Sequence, residues 1–166
     1  VVFPPSLFIA TDSFDSVVLQ IPNLEALKEE SPEAIEEAFL ATKLPDSVTA
    51  SVRGFLEKIT DPIVVRSSSV LEDSLKYSFA GKYLSTFEFN GEDESLEERT
   101  AHVEQDIKRI YARTFFPVAV AYRQKHGLGN DRMGIILMRV AGKWRGQYYY
   151  PTMAGVGFSR YYRRWT

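Results

Sequence analysis

The 166-residue sequence predicts an α/β chain of the α+β kind, in which helices flank a mixed sheet. Three observations point there. Short apolar runs at 63–66 and 133–140 read as strands, and between them lie longer segments whose apolar residues recur at helical spacing. Turn signals such as Asp61-Pro62, Asn90-Gly91 and the Gly127-Leu128-Gly129-Asn130 segment separate the two kinds of run. With 45% hydrophobic and 25% charged residues, the composition is that of globular material able to bury one core, so a single compact domain over 1–166 is expected.

In chain order, residues 7–10 and 17–19 are short apolar stretches. From Pro22 to Thr42, the positions of Leu24, Leu27, Ala34, Ile35, Ala38 and Phe39 predict two helices broken before Pro32. A third starts at Pro45-Asp46-Ser47, where proline presets the first turn and the acid suits the positive helix end. It runs through Val52, Phe55 and Leu56 to Ile59, and Asp61-Pro62 ends it and launches the 63–66 strand. Residues 83–89 return as a strand. Ser95 and Glu98 have the spacing of a capping box, opening a long amphipathic helix through Val103, Ile107, Ile110, Tyr111 and Phe115. Pro117 opens the next helix, ending near Gly127, and the unbroken apolar run at 133–140 predicts a buried strand.

Several function classes are excluded at this level. The chain has no cysteine, which removes disulfide frameworks, thiolate zinc sites and cysteine nucleophiles, and fits a cytoplasmic setting. A formal net charge of -2 argues against binding polyanions over the whole surface, so nucleic acid is not the expected partner. No apolar run approaches membrane-spanning length, so no membrane role is expected. The two histidines, His102 on a charged helix and His126 beside the Gly127 turn, have no partner spacing for a metal or a triad, and both read as surface residues.

The most informative run is Val64-Val65-Arg66-Ser67-Ser68-Ser69-Val70-Leu71-Glu72-Asp73, followed by Ser78-Phe79-Ala80-Gly81-Lys82-Tyr83-Leu84-Ser85-Thr86-Phe87. A β-branched strand delivers an arginine into three hydroxyls, and a small-residue turn then lets a second backbone approach a bound anion. Arginine offers a fixed fork of donors and a permanent charge, suited to two oxygens of one phosphate. Arg66 is therefore the first-choice phosphate ligand, with Ser67 and Ser68 as hydroxyl donors. The alternative is a structural arginine paired with Glu72 or Asp73; in the phosphate-site reading these acids hold Arg66 in place. Gly81 would let backbone amides of Ala80 to Tyr83 face phosphate oxygens, Lys82 adds mobile charge, and Ser85 or Thr86 supplies a hydroxyl.

Taken together, these two motifs resemble the "VRSS…ED…SFAG…T" signature of the nucleotide-binding domain in the phosphoenolpyruvate synthase and pyruvate phosphate dikinase family, which includes rifampicin phosphotransferase. Three further stretches are similar to family strands: Val1 to Thr11, Ile135-Ile136-Leu137-Met138-Arg139-Val140-Ala141-Gly142, and Ala154-Gly155-Val156-Gly157-Phe158-Ser159. The resemblance implies a partial ATP-grasp-like domain, cut at both ends from a larger nucleotide-binding domain. It implies ATP as ligand, with adenine in an apolar slot at Met138, Arg139 and Val140 read largely by backbone groups, and Met138 standing where many relatives have glutamine. It implies magnesium held by acids outside this stretch, and a phosphohistidine domain of the same parent chain as partner. The final acceptor would be pyruvate or another small molecule.

Two other readings keep their place. A degenerate regulatory nucleotide-binding module would preserve Arg66 and Gly81 without the catalytic flanks. Alternatively, the run from Arg132 onward, rich in arginine and tyrosine and without one acid, suggests RNA binding by stacking and phosphate contacts.

Overall fold

The computed structural model of the chain describes residues 3–69, 71, 83–91 and 93–155. The chain opens with β1 (Ser6–Ile9) and α1 (Thr11–Val18), continues through α2 (Leu24–Leu27), α3 (Pro32–Leu40) and α4 (Asp46–Leu56), and then enters β2 (Ile63–Ser69). After β3 (Ser85–Glu88) come α5 (Leu96–Arg113), α6 (Pro117–Lys125), β4 (Met133–Arg139) and a hairpin of β5 (Lys143–Arg145) and β6 (Tyr148–Tyr150).

Local chemistry sets the boundaries. The break before Pro32 is present: Ser31 caps α3 by accepting the Ala34 N–H at 3.2 Å, and Pro32 occupies the first turn. The capping box at α5 is complete, since Ser95 Oγ accepts the Glu98 N–H at 3.2 Å and the Glu98 carboxylate accepts the Ser95 N–H at 2.9 Å. Residues 17–19 form no strand. Val17 and Val18 close α1, where Phe14 and Val17 fall one turn apart on its buried side.

The strand order is β1-β4-β2-β3, and all three pairings are antiparallel, so the sheet expected to be mixed is antiparallel among the described residues. Register decides which side chains meet. Val64, Arg66 and Ser68 of β2 lie opposite Met138, Ile136 and Gly134 of β4, while Arg66 also faces Ser85 of β3. Because side chains alternate along a strand, these residues share one face.

The other face carries the core. Ile63, Val65, Met133, Ile135 and Leu137 pack with Phe14 and Val17 of α1, Ile35 and Phe39 of α3, Val52 and Leu56 of α4, and Ile107, Ile110 and Tyr111 of α5. Phe115, just past α5, stacks on both Phe14 and Phe39, and Phe14 meets the Tyr111 ring edge-on at 5.2 Å. The helices therefore cover one side of the sheet. The run at 133–140 is not continuously buried: Ile136 and Met138 are half-buried on the opposite, open side, where Phe8 is 71% and Phe87 72% exposed. No helix among the described residues is long and apolar enough to cross a membrane.

Candidate functional site

The open face of the sheet is where several of the candidate residues converge. Arg66 is exposed in the middle of β2, between buried Val65 and buried Ser67, because alternation turns it away from the core. Around it Phe3, Pro4, Ser6, Phe8, Ile136 and Met138 line a groove of about 490 Å³. On the far side of Phe8 a second groove of about 420 Å³ is lined by Ala10, Thr11, Ser68, Arg132 and Gly134, among others. Gly134 makes that floor low. A Cβ there would lie 3.2 Å from the Ser68 carbonyl oxygen and 3.3 Å from that of Ile9, tighter than an ordinary contact.

Among the described residues, Arg66 stands apart from the charge pairs. The ion pairs among the described residues use Lys28, Arg53, Arg109, Arg132 and Arg139 as cations, with His102 beside Glu94, and Arg66 enters none of them. Its groove has an apolar wall of Phe8, Ile136 and Met138 and one guanidinium. That pairing of an apolar slot with a planar cation suits a ligand having an aromatic ring and an anionic group.

Alternation divides the expected site residues. Arg66, Ser68, Ser85 and Met138 come together on the open face, with Ser85 directly across from Arg66. Ser67 points to the helix side and is buried, and so does Thr86, which pairs with Val65 and whose Oγ1 is enclosed. Of the two hydroxyls at 85 and 86, only that of Ser85 shares the arginine's side. Glu72, Asp73, Ala80, Gly81 and Lys82 lie outside the described residues.

Tyr83 is turned away from the groove. Its hydroxyl donates to Asp131 Oδ2 at 2.5 Å, and burial, followed by the hydrogen bond and charge of Asp131, pushes the phenol well above its ordinary value against a weaker opposing pull from Arg123. A phenol held this way is a structural donor.

In the stretch expected to hold adenine, several backbone groups have partners of their own. The Arg139 N–H donates to the Pro5 carbonyl at 3.1 Å, the Val140 N–H to the Pro62 carbonyl at 2.8 Å, and the Val140 carbonyl accepts the Tyr149 hydroxyl at 3.2 Å. These backbone groups are engaged within the fold. The Arg139 guanidinium pairs with Asp61 at 3.0 Å, on the side away from Met138. Met138 is thus the member of this trio whose side chain lines the groove. Phe3, Pro4, Ser6, Phe8 and Ile136 escaped sequence reasoning, although the alternation of Ser6 and Phe8 with buried Ile9 was a usable signal.

Acidic chemistry lies on the covered side. Glu88, at the end of β3, is pushed up to about 7, first by burial and then by the neighbouring Asp106 carboxylate, with Glu94 adding repulsion and Arg109 opposing. Among the described residues no group of three or more His, Cys, Asp or Glu is arranged to hold a metal ion, and no described acid lines the groove around Arg66. The described residues therefore do not fit a magnesium site.

Comparison with known proteins places nearly the whole chain in one family's range. The family model described as pyruvate phosphate dikinase, AMP/ATP-binding domain, matches residues 10–164. A rifampicin phosphotransferase from Streptomyces sp is 27% identical over 155 residues, covering 82% of this chain and 17% of that protein. Another, from Bacillus cereus, is 30% identical over 106 residues, covering 63% of this chain and 11% of that protein. The chain spans less than a fifth of the length of these curated relatives.

Proposed function

The chain belongs to the pyruvate phosphate dikinase AMP/ATP-binding domain family, and from that premise we propose that the open sheet face is the ATP-binding part of a phosphotransferase. The observation that carries the reading is Arg66, exposed at the centre of the sheet, outside every described ion pair, and sharing a groove with Phe8, Ile136 and Met138. In this reading the guanidinium holds two phosphate oxygens, Ser68 and Ser85 donate hydroxyls to neighbouring oxygens, and the adenine lies on the apolar wall.

The reaction proposed for the parent protein passes the β-phosphoryl group of ATP to a histidine on a separate domain, and then to pyruvate or another small acceptor. The contribution of this domain is to position the phosphates and neutralise their charge while the acceptor approaches. ATP carries magnesium in this chemistry, and its ligands belong to acids outside the described groove. The names of the relatives support a phosphotransferase; an antibiotic hydroxyl is one acceptor class consistent with them.

Calorimetric titration of ATP into the protein and into Arg66→Ala tests the reading. We expect weak binding, with Kd on the order of millimolar because few charge-assisted contacts are present, and its loss in the variant. Equal heats from both proteins, with both folded, would remove Arg66 from the site.

A further inference from the structure

We propose that the β5–β6 hairpin is a docking surface for single-stranded nucleic acid, separate from the groove around Arg66. The hairpin is a ribbon with two unlike faces. Lys143 pairs with Tyr150 and Arg145 with Tyr148, so alternation puts these four on one side and the Trp144–Tyr149 pair on the other. Gly146, with φ +65°, begins the two-residue turn that holds this register.

The inner side fixes the ribbon to the body. Trp144 lies 5.1 Å from the Phe89 ring and 5.1 Å from Tyr149, and Tyr149 donates its hydroxyl to the Val140 carbonyl at the end of β4. The approach is close enough that a Cβ on Gly142 would fall 2.6 Å from the Tyr149 ring. Trp144 stays 44% exposed, so these contacts tether the ribbon without burying its inner side, and the outer side faces away from them.

That outer side alternates cations with rings. Tyr148 is 64% exposed, Tyr150 is 47% exposed, and the Arg145 guanidinium carbon stands 5.3 Å from the Tyr150 ring centre. Exposed tyrosines accept unstacked bases on their faces, and lysine or arginine beside them meets the phosphates that follow. The sequence from Arg132 to Gly155 contains no acid, and Asp61, the acid beside Tyr149, is paired with Arg139 at 3.0 Å. A carbohydrate also stacks on aromatic rings, but it gives no partner to these charges. A duplex hides its base faces, which leaves a single strand as the ligand that uses both features.

Fluorescence anisotropy of labelled oligo(U) at low salt tests the proposal, with a sulfated polysaccharide as a polyanion lacking bases and polyglutamate as an acidic peptide. We expect oligo(U) binding at roughly micromolar to 100 micromolar. Tyr148→Ala should weaken it by about five- to 150-fold, the range found for losing one stacked base. The double variant Lys143→Glu with Arg145→Glu should abolish binding, and single neutralisations should each flatten the dependence of log K on log salt by about 0.7. Arg66→Ala should leave it unchanged, which separates this surface from the ATP site. Absence of binding, competition by polyglutamate as strong as by unlabelled oligo(U), or full affinity in a folded Tyr148→Ala variant would each overturn the proposal. Binding of the sulfated polysaccharide that matches oligo(U) and ignores Tyr148 would do the same.

Discussion

The two faces of the central sheet are built from the same strands and obey different rules. On β2, Ile63 and Val65 turn toward the helices and are fully enclosed, while Arg66 one position later stands in the open. On β4, Leu137 is sealed and Met138 beside it lines a groove. Neighbours about 3.4 Å apart along the chain thus belong to a packed interior and to the wall of an open groove. The covered face is under volume constraint, where every methylene has partners. The open face is free of that constraint.

Paired substitutions at adjacent positions break this comparison most sharply. Leu137→Ala should destabilise by about 2–5 kcal/mol, the range for emptying a packed site, whereas Met138→Ala should lose clearly less. Thermal unfolding followed by circular dichroism measures both, with a shift of roughly 2–4 °C for each kcal/mol in a chain of this size. Equal losses would mean that the open face is packed against something.

At Arg66 the expected effect moves from stability to function. In the phosphotransferase proposed for the parent protein, Arg66→Ala should reduce kcat/KM by about two orders of magnitude with little change in melting temperature. Arg66→Lys should be nearly as damaging, because lysine keeps the charge and loses the planar fork that holds two oxygens in register. Steady-state kinetics on both variants decide this. A lysine variant retaining most activity would reduce Arg66 to a point charge.

Glu88 gives the covered face a pH signature. Its carboxyl holds a proton up to about pH 7 in the folded chain, against an ordinary value of 4.5 when unfolded. Between those values the folded state binds more protons, so the contribution of Glu88 to stability is full below pH 4.5, falls as pH rises through the window, and is lost above 7. Glu88 is half-buried, and solvent screening reduces the contribution to about 1 kcal/mol. Denaturant titrations at pH 5 and pH 8 should show this decline in the native sequence and its absence in Glu88→Gln.

The smallest effect belongs to the open face again. Phe87→Ser removes a ring that is 72% exposed and should change stability by no more than about 0.5 kcal/mol. Chemical denaturation is the measurement. A loss near that of Leu137→Ala would place Phe87 in a buried contact.

Much of the fold is legible in the sequence, for physical reasons. Helix ends announce themselves through short-range chemistry, and Ser31, Pro32, Ser95, Glu98 and Pro117 all behave as their types require. Strand alternation is the harder signal. Met133 to Val140 is apolar almost throughout, so hydropathy alone does not show that Ile136 and Met138 face outward. For the same reason Ser67 and Thr86 look equivalent to Ser68 and Ser85 until register separates them. Arg139 sits in a plausible adenine stretch, but Asp61, 78 positions away, claims its guanidinium, and no local pattern reports a partner at that distance. The hairpin shows its charge and its rings in composition. Its two unlike faces follow from pairing, which composition does not contain.

Asn90 carries a consequence of a different kind, one of chemical ageing. It is buried, left-handed at φ 54°, and its side-chain amide donates to the carbonyls of Ile59 at 2.7 Å and Asp61 at 3.0 Å while its oxygen accepts from Arg99 at 3.0 Å. The next residue is Gly91, whose missing side chain leaves the following backbone nitrogen free to attack that amide and release ammonia whenever the loop opens. Conversion to aspartate would replace two donors with a charged acceptor aimed at two carbonyl oxygens, a repulsion the folded loop has no means to relieve. Folding therefore protects this bond and unfolding exposes it, so the mass increase at Asn90 in stored protein records the time each molecule has spent open.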